Sequence, residues 1–172
     1  VPRVGFLTAF SPSDFPLWRE GFQQGLRDFG YTEGHNIVIE YRYAEGQPER
    51  LLGLAAELVR LKVDIIAAET TPANLAAKQA TATIPIVMTL VADPVGSGLV
   101  LSLARPGGNI TGLSLQLPDI AAKRLQLLVE AVPKVSRVAI LWNSTSPITP
   151  PQLRQAEAAA PAARSSPWAA VA

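Results

Sequence analysis

A short apolar run, a turn of hydroxyl residues and proline, and then a helix start follow one another three times in this chain. The segments are VGFLTAF-SPSD, DIIAAE-TTPAN and IPIVMTLVA-DPVGSG. Each apolar run is strand length, and each is followed by a segment with helical spacing. A helix between two strands carries the chain back to its starting edge, so the strands run parallel and the helices cover the sheet. In an open sheet of this kind, the turns leaving the carboxyl ends of the strands are where ligands sit. A small-molecule site on one sheet edge is therefore expected before any activity is considered.

The pattern continues along the chain. Residues 3–10 read as a buried strand, and Ser13 or Asp14 caps a helix running to about Phe29. Trp18, Phe22, Leu26 and Phe29 fall on one face of that helix, and Gly30 stops it. Residues 36–44 alternate as a second strand. Leu51, Leu54, Ala55, Leu58 and Leu61 form the core stripe of a helix over 48–62. Residues 63–68 are a third strand, apolar except for Asp64, as a central parallel strand requires. A short helix over 72–81 takes Thr71 as its cap and Pro72 at its first position. Strands over 84–91 and 110–115 flank a short helix over 95–103 and a tight turn at 106–109. The fold class is thus α/β, a doubly wound parallel sheet of order 2-1-3-4-5 with helices on both faces.

Residues 118–132 form a further amphipathic helix and 137–142 a sixth apolar strand. After Asn143 the pattern degrades: a helix fits 152–160, and the Ala-rich tail has no period. We expect a first lobe over 1–115, then a crossover and incomplete second lobe with an irregular tail over 116–172. The sixth strand either joins the edge of the first sheet or opens that second lobe.

Composition closes off several classes. With 48% hydrophobic and 17% charged residues, the chain carries enough apolar mass for a sizeable core. The net charge of +1 comes without a Lys/Arg stripe, which argues against a nucleic-acid surface. There is no cysteine, so disulfides, thiolate metal sites and Cys nucleophiles are excluded together. No apolar run is long enough to span a membrane. The chain enters a strand directly after Val1-Pro2, which reads as a mature start from which a leader has been removed.

The known catalytic motifs fit poorly. After the first strand stands Ser11-Pro12-Ser13-Asp14, where a dinucleotide fold places glycines; Pro12 and Phe15 would obstruct a pyrophosphate. Gly96-Ser97-Gly98 is an isolated G-x-G, and there is no phosphate-loop lysine. The one histidine, His35, lies in a turn at the amino end of the second strand, away from the expected site. No G-x-S-x-G elbow occurs. Glu69 and Asp93 could approach one another, but two carboxylates without His or Cys hold a transition metal poorly. No cofactor, metal or catalytic residue is expected.

The strand order makes the crevice between the first and third strands the switch point. Its bordering loops, 10–14 and 69–74, carry the hydroxyls of Ser11, Ser13, Thr70 and Thr71, and both lead into helix N-termini that suit an anion. Taken singly, each of these residues reads as an ordinary N-cap. As a group at one sheet edge they read as a ligand site. Asp93 either accepts a ligand amine or caps its own turn. Trp18 and Trp142 read as packing residues.

Five ordered motifs give a sharper reading: G-Y-x-E-G-x-N-I at 30–37, E-Y-R-x-A-E-G at 40–46, T-x-P-I-V at 83–87, D-P-V-G-S-G-L-V at 93–100 and A-R-P-G-G-N-I-T-G at 104–112. On these the chain, over about 3–143, resembles the substrate-binding proteins of ABC transporters, in the branch with tryptophan- and tyrosine-type members. The resemblance implies a periplasmic-binding-protein lobe, a hinge, a second lobe, and closure over one small solute such as an amino acid. It implies a periplasmic or membrane-anchored extracytoplasmic location and a membrane permease as partner. It implies ligand contacts from Ser11, Ser13, Asp14, Thr70, Thr71, Asp93 and Thr111, with Asn143 facing them from the second lobe. The helix starts at Asp14 and Pro72 would then hold an anionic group, and Asp93 would meet an ammonium. Family chains are about twice this length, so a truncated or frame-shifted product is expected. Two other readings remain: a doubly wound enzyme acting on a nucleotide or sugar phosphate, and the sensory domain of a regulator.

Overall fold

The computed structural model describes residues 1–14, 16–135, 137–141 and 149–159. The chain divides into two compact units, Val1–Ser114 and Leu115–Ala172.

The first unit is a five-stranded parallel sheet. Its strands are β1 (Arg3–Thr8), β2 (Val38–Tyr43), β3 (Ile65–Glu69), β4 (Ile86–Val91) and β5 (Ile110–Ser114), in the order β2-β1-β3-β4-β5 that the connections predict. Three helices alternate with the first four strands: α1 (Pro16–Asp28), α2 (Leu51–Arg60) and α3 (Thr71–Ala80).

The period-2 alternation of the strands sorts the core onto the two faces. On one face Leu7, Ile66, Ala68, Ile86 and Met88 pack under α2 and α3, meeting Leu51, Ala55, Leu58, Ala73 and Ala77. On the other, Val4, Phe6, Ile65 and Ala67 meet Phe22 and Leu26 of α1. Gly5 permits the first arrangement: a Cβ there would stand 2.9 Å from Leu58 Cδ1, so α2 sits where only hydrogen leaves room.

Several boundaries differ from the sequence expectation for identifiable reasons. Phe29 falls just past the end of α1 and is 85% exposed, so it does not join the apolar stripe. β2 starts at Val38 because Asn36 is used by the preceding turn, accepting from the Thr32 N–H at 2.7 Å and donating to the Gly30 carbonyl at 2.8 Å. The short helix expected over 95–103 is a series of turns. Ser97 donates to the Asp93 carbonyl through both its N–H (3.0 Å) and its hydroxyl (2.6 Å), and Leu99 and Val100 both donate to the Pro94 carbonyl. Gly98 adopts φ +71°, a left-handed conformation that breaks a helix. Lys78 ties this loop to α3 by donating to the carbonyls of Gly98 and Leu99 at 2.5 and 3.3 Å.

The second unit contains α4 (Leu117–Ala131) and α5 (Thr149–Ala159). The two helices pack on one another, burying Leu125 and Ala156, and an open groove of about 390 Å³ runs past Leu125, Leu128, Ile140 and Leu153. The expected sixth strand is not formed over 137–141: no neighbouring strand offers these residues a hydrogen-bonding ladder among the described residues. Trp142 lies outside the described residues.

Among the described residues no helix is long and apolar enough to cross a membrane, and no group of His, Cys, Asp and Glu could hold a metal ion.

Candidate functional site

Three adjacent strands end on polar residues. Thr8 closes β1, Tyr43 closes β2 and Glu69 closes β3, and the register sets Thr8 directly beside both Tyr43 and Glu69. Alternation places all three on the sheet face that α1 covers, with Phe6 and Tyr41 behind them at a ring distance of 5.6 Å. Polar side chains at the carboxyl edge are therefore dictated by strand ends that stop being apolar: RVGFLT, VIEYRY and IIAAE.

Glu69 is the unusual member. It is 8% exposed, and its Oε2 accepts one hydrogen bond, from the Thr8 hydroxyl at 2.7 Å; Thr8 itself is 2% exposed. Burial pushes the Glu69 carboxyl above the usual carboxylate range, and the bond from Thr8 draws it part of the way back. The same residues line a small recess of about 20 Å³ together with Phe6, Phe10, Ser11, Asp14, Trp18, Arg19 and Tyr43. Trp18, expected to pack in the core, is 45% exposed and forms part of the recess wall, because α1 begins beyond the strand ends.

The next residues of the chain begin α3. Thr70, not Thr71, is the cap residue, and it stands at φ 79°, ψ 157°, a region that normally admits only glycine and costs about 1–3 kcal/mol. Its side chain makes no capping bond. Thr71 is instead the first helical residue and is 4% exposed. Asn74 takes over the tying role: its amide donates to the carbonyls of Ala68 (2.7 Å) and Thr70 (2.8 Å). Three buried oxygens of this turn, Thr70 Oγ1, Thr71 Oγ1 and Asn74 Oδ1, have no hydrogen-bond partner in the protein. Thr70 N–H is bonded to Thr89 and Asn74 N–H to Thr70, and Pro72 has none, so the N–H groups of Thr71 and Ala73 remain without an intrahelical acceptor. Hydroxyls and helix-start N–H groups thus converge where the dipole favours negative charge.

The remaining expected residues divide. Ser11 and Asp14 reach the recess, but they also bond to one another: the Ser11 N–H donates to Asp14 Oδ2 at 2.8 Å, and the Asp14 N–H to the Ser11 carbonyl at 3.0 Å. With its carboxylate there, Asp14 opposes an anion near the start of α1. Ser13 is exposed in the same turn. Asp93 is folded onto its own loop, where Oδ1 accepts from the Gly96 N–H at 2.8 Å. Thr111 is the second residue of β5, opposite Val87, near the amino end of the strand; Ser114, opposite Val91, is the residue at the carboxyl edge. Thr111 is thereby removed from the expected cluster. Asn143 lies outside the described residues. The sequence reading passed over Thr8, Tyr43 and Asn74 and considered Glu69 only as a metal ligand. The signal for the first two was available: each is the last residue of an otherwise β-prone run.

Known proteins share this architecture. Residues 10–163 match the family described as ABC transporter substrate binding protein. A tyrosine-binding protein of Clostridioides difficile (strain R20291) is 39% identical over 127 residues, which is 74% of this chain and 36% of the relative. A domain crystallised with L-Trp from Streptococcus pneumonia superposes with a TM-score of 0.84 at 29% identity, over 99% of this chain and 57% of that one. A conserved domain protein of Vibrio cholerae superposes with a TM-score of 0.85 at 30% identity, again over 99% and 57%. The chain spans little more than a third of the curated relative and just over half of the solved structures. It belongs to the family of ABC transporter substrate-binding proteins.

Proposed function

We propose that this chain captures a small amino acid with an aromatic side chain, as the solute-binding component of an ABC importer. The ligand's carboxylate lies at the start of α3, and a second lobe of the whole protein closes over it. The observation that carries this reading is the first turn of α3, where Thr70 and Thr71 hold buried hydroxyls without partners in the protein, beside the N–H groups of Thr71 and Ala73, which have no intrahelical acceptor. A helix start with that inventory satisfies an anion through backbone dipole and hydroxyl donors together. The names of the relatives, one tyrosine-binding and one crystallised with L-Trp, point to the aromatic amino acids. The working protein is then extracytoplasmic, delivers its solute to a membrane permease, and binds without catalysing.

Calorimetry and thermal shift test this. L-tyrosine or L-tryptophan is expected to give a saturable signal and a raised Tm, while ATP and sugar phosphates give none. Thr71→Val, which keeps the shape and removes the hydroxyl, is expected to weaken binding by about tenfold, the cost of one charge-assisted hydrogen bond. A shift with nucleotides and none with either amino acid would overturn the reading in favour of a nucleotide enzyme.

A further inference from the structure

We infer, on the footing of the solute-binding reading above, that Glu69 is the acceptor for a primary ammonium on the ligand, and that the recess beside it sets this specificity. Glu69 follows Thr8 across the sheet and precedes Thr70 and Thr71 along the chain, so an ammonium acceptor and a carboxylate site stand within two residues of one another.

The carboxyl is under-supplied with donors. An ionised carboxylate has room for about four hydrogen bonds. Here the one donor described is the Thr8 hydroxyl at 2.7 Å, on one oxygen. The ion pairs formed by the described residues are Arg42 with Glu40 and Glu57, and Arg50 with Glu45; none reaches Glu69. Arg19 and Asp14 line the same recess with opposite charges, and neither is bonded to Glu69. A buried carboxylate without a counter-ion is costly in a finished fold, and an arriving cation removes that cost.

Size and wall chemistry narrow the cation. The recess holds about 20 Å³, and a single water needs roughly 10–15 Å³ by the same measure. An ammonium is close to water in size; a guanidinium or an aromatic ring is not. Phe10, Trp18 and Tyr43 contribute to the walls, and aromatic faces attract cations and repel anions. An ammonium also brings three N–H donors to the unfilled side of Glu69. The ligand's side chain must then lie outside this recess. Asp93, whose Oδ1 is taken by the Gly96 N–H, does not serve as the acceptor.

The test uses the 172-residue chain and three probes in parallel calorimetric titrations: L-tyrosine, 3-(4-hydroxyphenyl)propanoate, which lacks only the ammonium, and tyramine, which lacks only the carboxylate. The chain is expected to prefer L-tyrosine over the deaminated acid by on the order of tenfold to a hundredfold, the range for hydrogen bonds to charged groups. Glu69→Gln, which keeps a partner for Thr8, is expected to erase that preference while leaving affinity for the deaminated acid unchanged. Its unliganded Tm should equal or exceed that of the parent, which separates a ligand role from a structural one. Equal affinity of the parent chain for L-tyrosine and the deaminated acid would overturn the assignment of Glu69 and leave the solute-binding reading standing. So would an undiminished preference in Glu69→Gln. Failure of all three probes, together with L-tryptophan, to bind the parent chain would overturn both.

Discussion

Glu69 and Thr8 show how a single residue at the end of a strand can be traded against stability. The Glu69 carboxyl is buried, and burial raises its pKa above 4.5, the ordinary value, against the pull of the Thr8 hydrogen bond. A carboxyl whose pKa is higher in the fold binds protons more tightly there than in the unfolded chain. Between the two values the native state carries more protons, so the contribution to stability is fullest below the unfolded value and is lost as pH rises through the folded one. The expected outcome is a Tm difference between the parent chain and Glu69→Gln that moves in favour of the variant as pH rises from about 4.5 to neutrality. Parallel Tm profiles across that interval would show that Glu69 does not titrate differently in the fold. The direction of the slope is informative because a carboxylate held by an internal cation would give the opposite one.

At the scale of elements, the contact of α2 with β1 leaves little room. Leu58 is fully buried and lies over Gly5, where a Cβ would approach it to 2.9 Å. Leu58 cannot retreat without opening the core it shares with Leu7 and Ile66. Gly5→Ala is therefore expected to destabilise the chain by about 1–3 kcal/mol, as overpacking does, with the urea midpoint lowered and the m-value unchanged. A neutral or stabilising effect would show that α2 shifts outward freely. The same elements show what the sequence made legible. The parallel sheet followed from strand-length apolar runs alternating with helical spacing, because such periodic features are enforced by a core over many residues. The turn at 93–100 was misread because Val95 to Leu103 has helical spacing, whereas Gly98 and the bonds onto the Asp93 and Pro94 carbonyls decide its conformation locally. In the site, Thr70 and Thr71 stood out as hydroxyls ahead of a proline. The importance of Glu69 did not, because it depends on which residue lies opposite on β1, and register is a property of paired strands. Thr111 was misplaced although the strand expected over 110–115 already sets it near the amino end; the pairing with Val87 makes that position explicit.

Over the whole molecule, buried apolar residues are distributed very unevenly. The first unit holds continuous cores on both sheet faces, with Leu7, Leu58, Ile66, Ile86 and Val91 all at 0–2% exposure. In the second unit the buried hydrophobic residues among those described are Leu125 at 7% and Ala156 at 9%, while Leu127 and Leu128 are 50% and 39% exposed. Local stability follows the apolar surface that each region removes from water, and regions with little of it open at lower free energy. Native-state hydrogen exchange is therefore expected to resolve two levels. Amides of β1, β3 and β4, which lie in the interior of the sheet, should exchange only through global unfolding, whereas amides of α4 and α5 should exchange through smaller openings and respond weakly to dilute denaturant. Saturating L-tyrosine, on the proposed function, should slow exchange at 71–74 and leave α4 and α5 at their former rates in this chain. Equal protection in both units without ligand would mean that the second unit draws stability from contacts beyond its own two helices, and the account of it given by Leu125 and Ala156 would fail.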